Sequence, residues 1–387
     1  MASRPGGKGL DLEEALKGYF WRAGYFVVRG VPYRLDGDDV TDVDLWLYER
    51  PAAFTRRRLI VDVKNRRSPK AAERIIWVRG LQSALAVDGV IVASTDKRPS
   101  TRRLAKALNV TLLDGDALVE LAEREQLHKT AAQWRTEDLV AAVKQIDRGR
   151  RSSEWREAMD DARSSLISGI GVQSTNRSLA ANAFFADQVL NAFPRSEQAQ
   201  VGLRLVYFTC AFVALSLDYL LAEQAFRAPE ERRQSIINSI RFGQSDALGS
   251  LPIVRAAIGL TRKYVENGAA AAKQIEHGFY GDANQIPAEI IADYVTRVAS
   301  SDALFNVARE IDSAAWASEL PSFDALSTEA KSLLGVVMDF NGISRQKIAS
   351  AWPHIRSPRD HNAGTEYQPG PLFNQTTAAS AAKGKEG

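Results

Sequence analysis

Two stretches decide the fold: Thr41-Asp42-Val43-Asp44-Leu45-Trp46-Leu47-Tyr48 and Leu59-Ile60-Val61-Asp62-Val63-Lys64. The first alternates polar and apolar residues; the second is an apolar run interrupted by one acid and ended by one base. Both read as β-strands. Side chains two apart on a strand share a face, so Asp62 and Lys64 project together. Asp44, on the neighbouring strand, completes a group of hard carboxylate oxygens beside one ammonium. Such oxygens suit Mg²⁺ or Mn²⁺, and the ammonium suits a phosphate oxygen or an attacking water. The chemistry implied is hydrolysis of a phosphodiester.

Working outward, Leu10 to Ala23 carries Leu12, Leu16, Tyr19 and Phe20 at helical spacing, and Gly24 can end that helix. Tyr25-Phe26-Val27-Val28 reads as a first strand, Leu35 to Asp39 as a turn, and Pro51 to Arg57 as a basic turn between the two deciding strands. A helix from about Pro69 to Ala86 follows, then the buried strand Gly89-Val90-Ile91-Val92-Ala93-Ser94, a helix from about Thr101 to Leu108, and a strand Val110 to Leu113. The order αβββαβαβ predicts an α/β domain over residues 10–125. Beyond Leu118 the pattern is helical, with segments near 131–147, 152–167, 176–192, 197–226, 230–241, 252–267, 285–300, 302–317, 323–339 and 344–351. Residues 126–355 therefore read as a larger, independently packed all-α domain, between a flexible leader at 1–9 and the α/β unit on one side and a disordered tail at 356–387 on the other.

A chain of 387 residues suits two domains of roughly 100–200 residues each, and 45% hydrophobic with 25% charged residues is an ordinary globular composition. The single cysteine, Cys210, excludes an intramolecular disulfide framework and favours a reducing compartment. Residues 1–9 have no apolar core, so no secretory signal is read there and a cytoplasmic location is expected. The uncharged run Leu205 to Leu217 is shorter than the roughly 20 residues a membrane span needs, and reads as a core helix. Net charge is +3, but residues 1–125 hold 22 basic against 18 acidic side chains, so the positive excess belongs to the segment with the candidate site. Arg56, Arg57, Arg58, Arg66 and Arg67 flank the second deciding strand and, with Lys70, Arg74, Lys97, Arg98, Arg102, Arg103 and Lys106, form a candidate phosphate-binding rim. Trp46 and Trp77 are candidate stacking surfaces, although core packing is the stronger reading for both. The four histidines show no metal-ligand spacing.

These residues resemble the PD-(D/E)xK nuclease superfamily, and in particular its restriction-endonuclease-like, Mrr-like members, over about residues 10–125. In that superfamily a carboxylate ends one central strand and a (D/E)-x-K motif lies on the next; Asp44, Asp62 and Lys64 match those positions. Many members add a glutamate on the first helix, matched by Glu14 ahead of its neighbour Glu13. Leu12-Glu13-Glu14-Ala15-Leu16 followed by Gly24-Tyr25 is similar to the Mrr-type opening. Val43 stands where the proline of the superfamily's title would be, and Gln82 resembles a polar helix position near the site in some members. The resemblance implies a Mg²⁺- or Mn²⁺-dependent DNA endonuclease, with Glu14, Asp44 and Asp62 as metal ligands and Lys64 positioning water. It implies restriction, defence or DNA repair as the setting, with the helical domain serving regulation, targeting, homo-oligomerisation or protein partners.

A competing reading attaches to each residue. Asp44 can be a strand-end carboxylate capping a turn, with Asp42 the solvated neighbour; Asp62 and Lys64 can form a structural salt bridge; and basic runs are usually solvated surface. The superfamily also contains members that have lost catalysis. A catalytically inactive nuclease fold that binds nucleic acid or acts as a scaffold is therefore carried alongside the enzyme.

Overall fold

The computed structural model describes residues 8–35, 37–64, 70–127, 133–148, 152–243, 250–298 and 302–352. The expected leader lies almost wholly, and the expected tail wholly, outside the described residues. The N-terminal elements run α1 (Lys8–Arg22), β1 (Phe26–Leu35), β2 (Asp38–Ala52), β3 (Thr55–Lys64), α2 (Ala71–Leu85), β4 (Gly89–Ser94), α3 (Pro99–Ala107) and β5 (Thr111–Leu113), the αβββαβαβ order read from the sequence. Gly24, at φ +101°, ends α1, and the Tyr25 N–H closes back on the Phe20 carbonyl at 3.0 Å. The sheet order is β1-β2-β3-β4-β5, with β1, β2 and β3 antiparallel and β3, β4 and β5 parallel through the crossover helices α2 and α3.

The strand boundaries around the two expected turns differ from the sequence reading. β1 continues to Leu35, and the expected basic turn at 51–57 is largely strand, because β2 runs to Ala52 and β3 starts at Thr55. Arg57 pairs with Glu49 and Arg58 with Tyr48 across the β2–β3 ladder. A run of arginines hides strand alternation when each guanidinium finds its own partner.

Val27, Leu45, Leu47, Leu59, Val61 and Val63 line one sheet face, beneath Leu16 and Phe20 of α1 and Leu118 and Leu121 of α4 (Gly115–Leu127). Phe26, Val28, Trp46, Tyr48, Ile60 and Val92 line the other. Ile75 and Val78 of α2 cover part of that second face.

The rest is covered by the helical segment, comprising α5 (Thr136–Asp147), α6 (Glu154–Ser168), α7 (Val172–Leu190), α8 (Glu197–Glu223), α9 (Pro229–Phe242), α10 (Ser250–Tyr264), α11 (Gly268–Gln285), α12 (Ala288–Val298), α13 (Ala303–Trp316), a short 3₁₀ turn (Phe323–Ala325), α14 (Thr328–Phe340) and α15 (Arg345–Ser350). The apolar spacing marks no helix where α11 forms, because its alanine-rich start has high helical propensity but few large apolar residues. Helix α8 is long and apolar enough to cross a membrane, yet 89% of its apolar window is buried inside the protein, as expected of a core helix.

Phe26 meets Phe212 of α8 at 6.2 Å between ring centroids, and Tyr48 meets Phe305 of α13 at 5.9 Å. The helical segment was expected to pack by itself; instead it shares one core with the sheet, and the described residues form one compact unit. The physical reason is the second sheet face. Phe26, Trp46 and Tyr48 are fully buried, each stabilised by roughly 1.5–3 kcal/mol, and α2 alone leaves the β1–β2 side of that face to other helices. A fragment ending near residue 125 would expose these aromatic rings.

Candidate active site

The β2–β3 ladder pairs Leu45 with Val61, and one step further along that register Asp44 stands opposite Asp62. Here the Val63 N–H donates to Oδ2 of Asp44 at 2.7 Å. Lys64 Nζ lies 3.7 Å from Oδ2 of Asp44 and 3.8 Å from Oδ1 of Asp62. The three strand residues singled out in the sequence are thus brought together around one ammonium. Asp42 is exposed, the solvated member of its pair. Burial pushes the Asp44 carboxyl above its ordinary range; the Val63 N–H and the Lys64 charge pull it back, and the Asp62 charge raises it again. A carboxylate held this way is reluctant to stay bare, and a cation would relieve it.

Asp62 is only 5% exposed, which an ionised carboxylate tolerates only with partners. Arg74, in the first turn of α2, supplies them: its Nε donates to Oδ2 at 2.9 Å and its Nη2 to Oδ1. The same guanidinium lies 4.0 Å from the ring centroid of Trp77, which is 38% exposed. Helix α2, packed against β3 and β4, brings Arg74 to the end of β3.

The α1 carboxylates are organised by Arg29 of β1. Its Nε donates to Glu13 at 2.9 Å, its Nη1 to Glu14 at 2.8 Å, and its Nη2 to Glu137 of α5. Neighbouring helix residues point about 100° apart. Burial raises the Glu13 carboxyl, Arg29 lowers it, and the charge of Asp44 raises it further. Glu14 accepts from the same guanidinium. It lies 3.7 Å from Lys17 and its charge acts on the buried Asp312 of α13. The sequence reading placed Glu14 ahead of Glu13; in the structure the two share Arg29, and the Asp44 charge acts on Glu13. Arg29 and Glu137 were missed altogether, although a lone arginine within Phe26-Val27-Val28-Arg29-Gly30-Val31 signals a paired, buried charge.

The arginine rim divides. Arg56 was expected to meet nucleic acid, but its side chain is 4% exposed and is spent on Asp218 of α8, with bonds of 2.5 and 2.9 Å. Arg57 pairs with Glu49 at 2.8 Å, and Arg58 bonds the Ala86 carbonyl at 2.5 Å, both near the start of β3 and away from Lys64. Arg66 and Arg67 lie outside the described residues. Gln82 bonds the Val87 carbonyl at 3.2 Å, before the start of β4 and so at the sheet end opposite Lys64. Trp46 is fully buried and serves the core. At the site's own end, Lys70 is exposed, while Lys97 and Arg98 follow β4, whose Ser94 pairs with Lys64; they are held by Asp116 and Asp96 at 2.7 and 2.6 Å.

Among the described residues no group of three or more Asp, Glu, His or Cys stands ready to hold a metal ion. Asp44 and Asp62 nonetheless fit a hard divalent ion. Mg²⁺ is commonly held by one or two carboxylates, with water and substrate phosphate completing its shell.

Residues 7–122 match the restriction endonuclease family model Mrr_cat. The match spans under a third of the chain and takes in Glu13, Asp44, Asp62 and Lys64. This segment is a restriction-endonuclease-like domain, consistent with a Mrr-like PD-(D/E)xK nuclease. Neither the curated proteins nor the solved structures contain a match.

Proposed function

We propose that the protein is a metal-dependent DNA endonuclease. The observation that carries this reading is the convergence of Asp44, Asp62 and Lys64 on the adjacent strands β2 and β3, inside the segment that matches the restriction endonuclease family. Asp44 and Asp62 would hold Mg²⁺ or Mn²⁺, with a carboxylate of α1 completing the set: the expected Glu14, or its neighbour Glu13, on whose carboxyl the Asp44 charge acts. A divalent ion at such carboxylates supplies Lewis acidity and a lowered pKa for its bound water. Lys64 orients the attacking water and donates to a non-bridging phosphate oxygen as the new P–O bond forms and the bond to the leaving oxygen breaks. Asp44 and Asp62 bring negative charge to a polyanion, which Lys64 and Arg74 offset.

The helical segment is proposed to regulate the site through α1. Glu137 of α5 shares Arg29 with Glu13; Trp316 of α13 lies 3.6 Å beneath Lys17; and Arg309 donates to the Trp21 carbonyl at 2.6 Å. A shift of α5 or α13 would therefore be felt at Glu13. Assembly with further copies or with partner proteins through the same segment belongs to this proposal.

The internal pairing of Asp62 with Arg74 and of Glu13 with Arg29 favours a second reading, a nuclease fold that binds DNA without cleaving it. Incubating circular and single-stranded DNA with the protein and Mg²⁺ or Mn²⁺ separates the two. The enzyme reading expects cleavage that falls about 100-fold or more in Lys64→Ala. Equal cleavage by wild type and variant removes Lys64 from the mechanism. Salt-sensitive binding with neither cleavage nor metal response supports the second reading.

A further inference from the structure

We propose that Arg74 gates the metal site: its guanidinium supplies the positive charge that Asp62 needs in the resting protein and must leave before a divalent ion is held there. The inference rests on the nuclease reading and deepens it, because it concerns regulation of the same site. Arg74 addresses both oxygens of Asp62, Nε to Oδ2 at 2.9 Å and Nη2 to Oδ1, so the carboxylate presents a guanidinium where a metal would bind. A guanidinium and a divalent cation on one largely buried carboxylate repel strongly, since the surroundings screen them poorly. Lys64 is different. It stands 3.7 and 3.8 Å from the two carboxylates, at ion-pair rather than hydrogen-bond distance, and can remain while the oxygens take a new partner.

The surroundings of Arg74 allow it to move. Its side chain is 26% exposed, whereas that of Arg56, in the protein's other doubly bonded Asp–Arg pair on β3, is 4% exposed. Arg56 is also tied to the carbonyls of Ala52, Ala53 and Thr55, each at 3.0 Å. Arg74 instead has the half-exposed indole of Trp77, three residues along α2, against its planar face. That ring can keep the guanidinium beside the site after Asp62 is released, because cation–π attraction does not require the carboxylate.

Calorimetric titration of Mn²⁺ into the full-length protein without nucleic acid tests the gate apart from catalysis. Removing a competitor from Asp62 should tighten binding, so Arg74→Ala is expected to bind Mn²⁺ about 5-fold or more tightly than wild type, within the usual range of coupling between two ligands. Arg74→Lys, which keeps the charge but loses the paired N–H fork and preserves the side-chain stem, should fall between them and decides the matter if the alanine variant does not fold. Asp62→Ala should show no binding. If Asp62→Ala abolishes binding while both Arg74 variants bind no tighter than wild type, Arg74 merely orients Asp62 and the gate is wrong. If wild type and both Arg74 variants fail to bind, or if Asp62→Ala binds like wild type, the gate and the nuclease reading both fall.

Discussion

The two ends of β3 carry the same chemical unit, an aspartate gripped by an arginine, and use it differently. At the start of the strand Asp218 reaches in from α8 to Arg56, is 1% exposed, and also accepts from the Tyr48 hydroxyl at 2.7 Å. Every partner is itself enclosed, and the unit ties the sheet to the helical segment. At the far end Asp62 meets an arginine and a lysine whose side chains are 26% and 30% exposed, and the lysine is shared with Asp44. The first unit is saturated. The second is compensated but still accessible. A buried carboxylate marks a site when its cations remain within reach of solvent.

The largest expected effect lies at the saturated end. Asp218→Ala would leave Arg56 charged and unpaired in the interior, a change that costs about 3–5 kcal/mol in such settings. Asp62→Ala leaves Arg74 free to turn towards solvent and is expected to cost about 1 kcal/mol or less, the scale of a partly exposed ion pair. Equilibrium denaturation of both variants measures the contrast, and equal losses would break it.

A somewhat smaller effect concerns the join between α1 and α13. Burial pushes the Asp312 carboxyl up to about 6 from 3.8, against the attraction of Lys17, the Trp316 N–H and Arg309, while the Glu14 charge adds to the rise. With the folded-state value above the unfolded one, the associated stability is present below pH about 4 and is lost as pH rises through about 6. That loss is about 3 kcal/mol at most. Asp312→Asn should lack this slope, so its stability relative to wild type should rise between pH 4 and 7. Melting curves across that range check the sign; parallel curves would remove Asp312 from the pH response.

The smallest of these effects separates Glu13 from Glu14. Because the Asp44 charge acts on Glu13, Glu13→Gln should lower metal-dependent cleavage about 10-fold, within the 10–100-fold range seen when the partners of a metal site are altered, and Glu14→Gln by less. The opposite ranking would restore Glu14 to the place the sequence gives it.

Much of this was legible beforehand because strand periodicity is local. Asp62 and Lys64 share a face by their spacing alone, and the unbroken apolar run Gly89–Ser94 could belong only to a strand covered on both sides. What was not legible depended on distant partners. Nothing in Arg56-Arg57-Arg58 reveals that the first of them meets an aspartate 162 residues later. The choice between Glu13 and Glu14 depends on how α1 is rotated over the sheet, which Arg29 and Glu137 help to set. The shared core escaped for the same reason: an apolar sheet face announces that it is covered, but not by which helices.

The central claim is that the accessible end of β3 works and the saturated end holds. Initial rates of Mg²⁺-dependent cleavage of circular DNA by Asp62→Asn and Asp218→Asn, measured at a temperature where both are folded, test it most directly. The account predicts a loss of about 100-fold or more for Asp62→Asn, since an amide cannot replace the anionic ligand, and a rate near wild type for folded Asp218→Asn. Comparable losses in the two variants, or undiminished cleavage by Asp62→Asn, would contradict it.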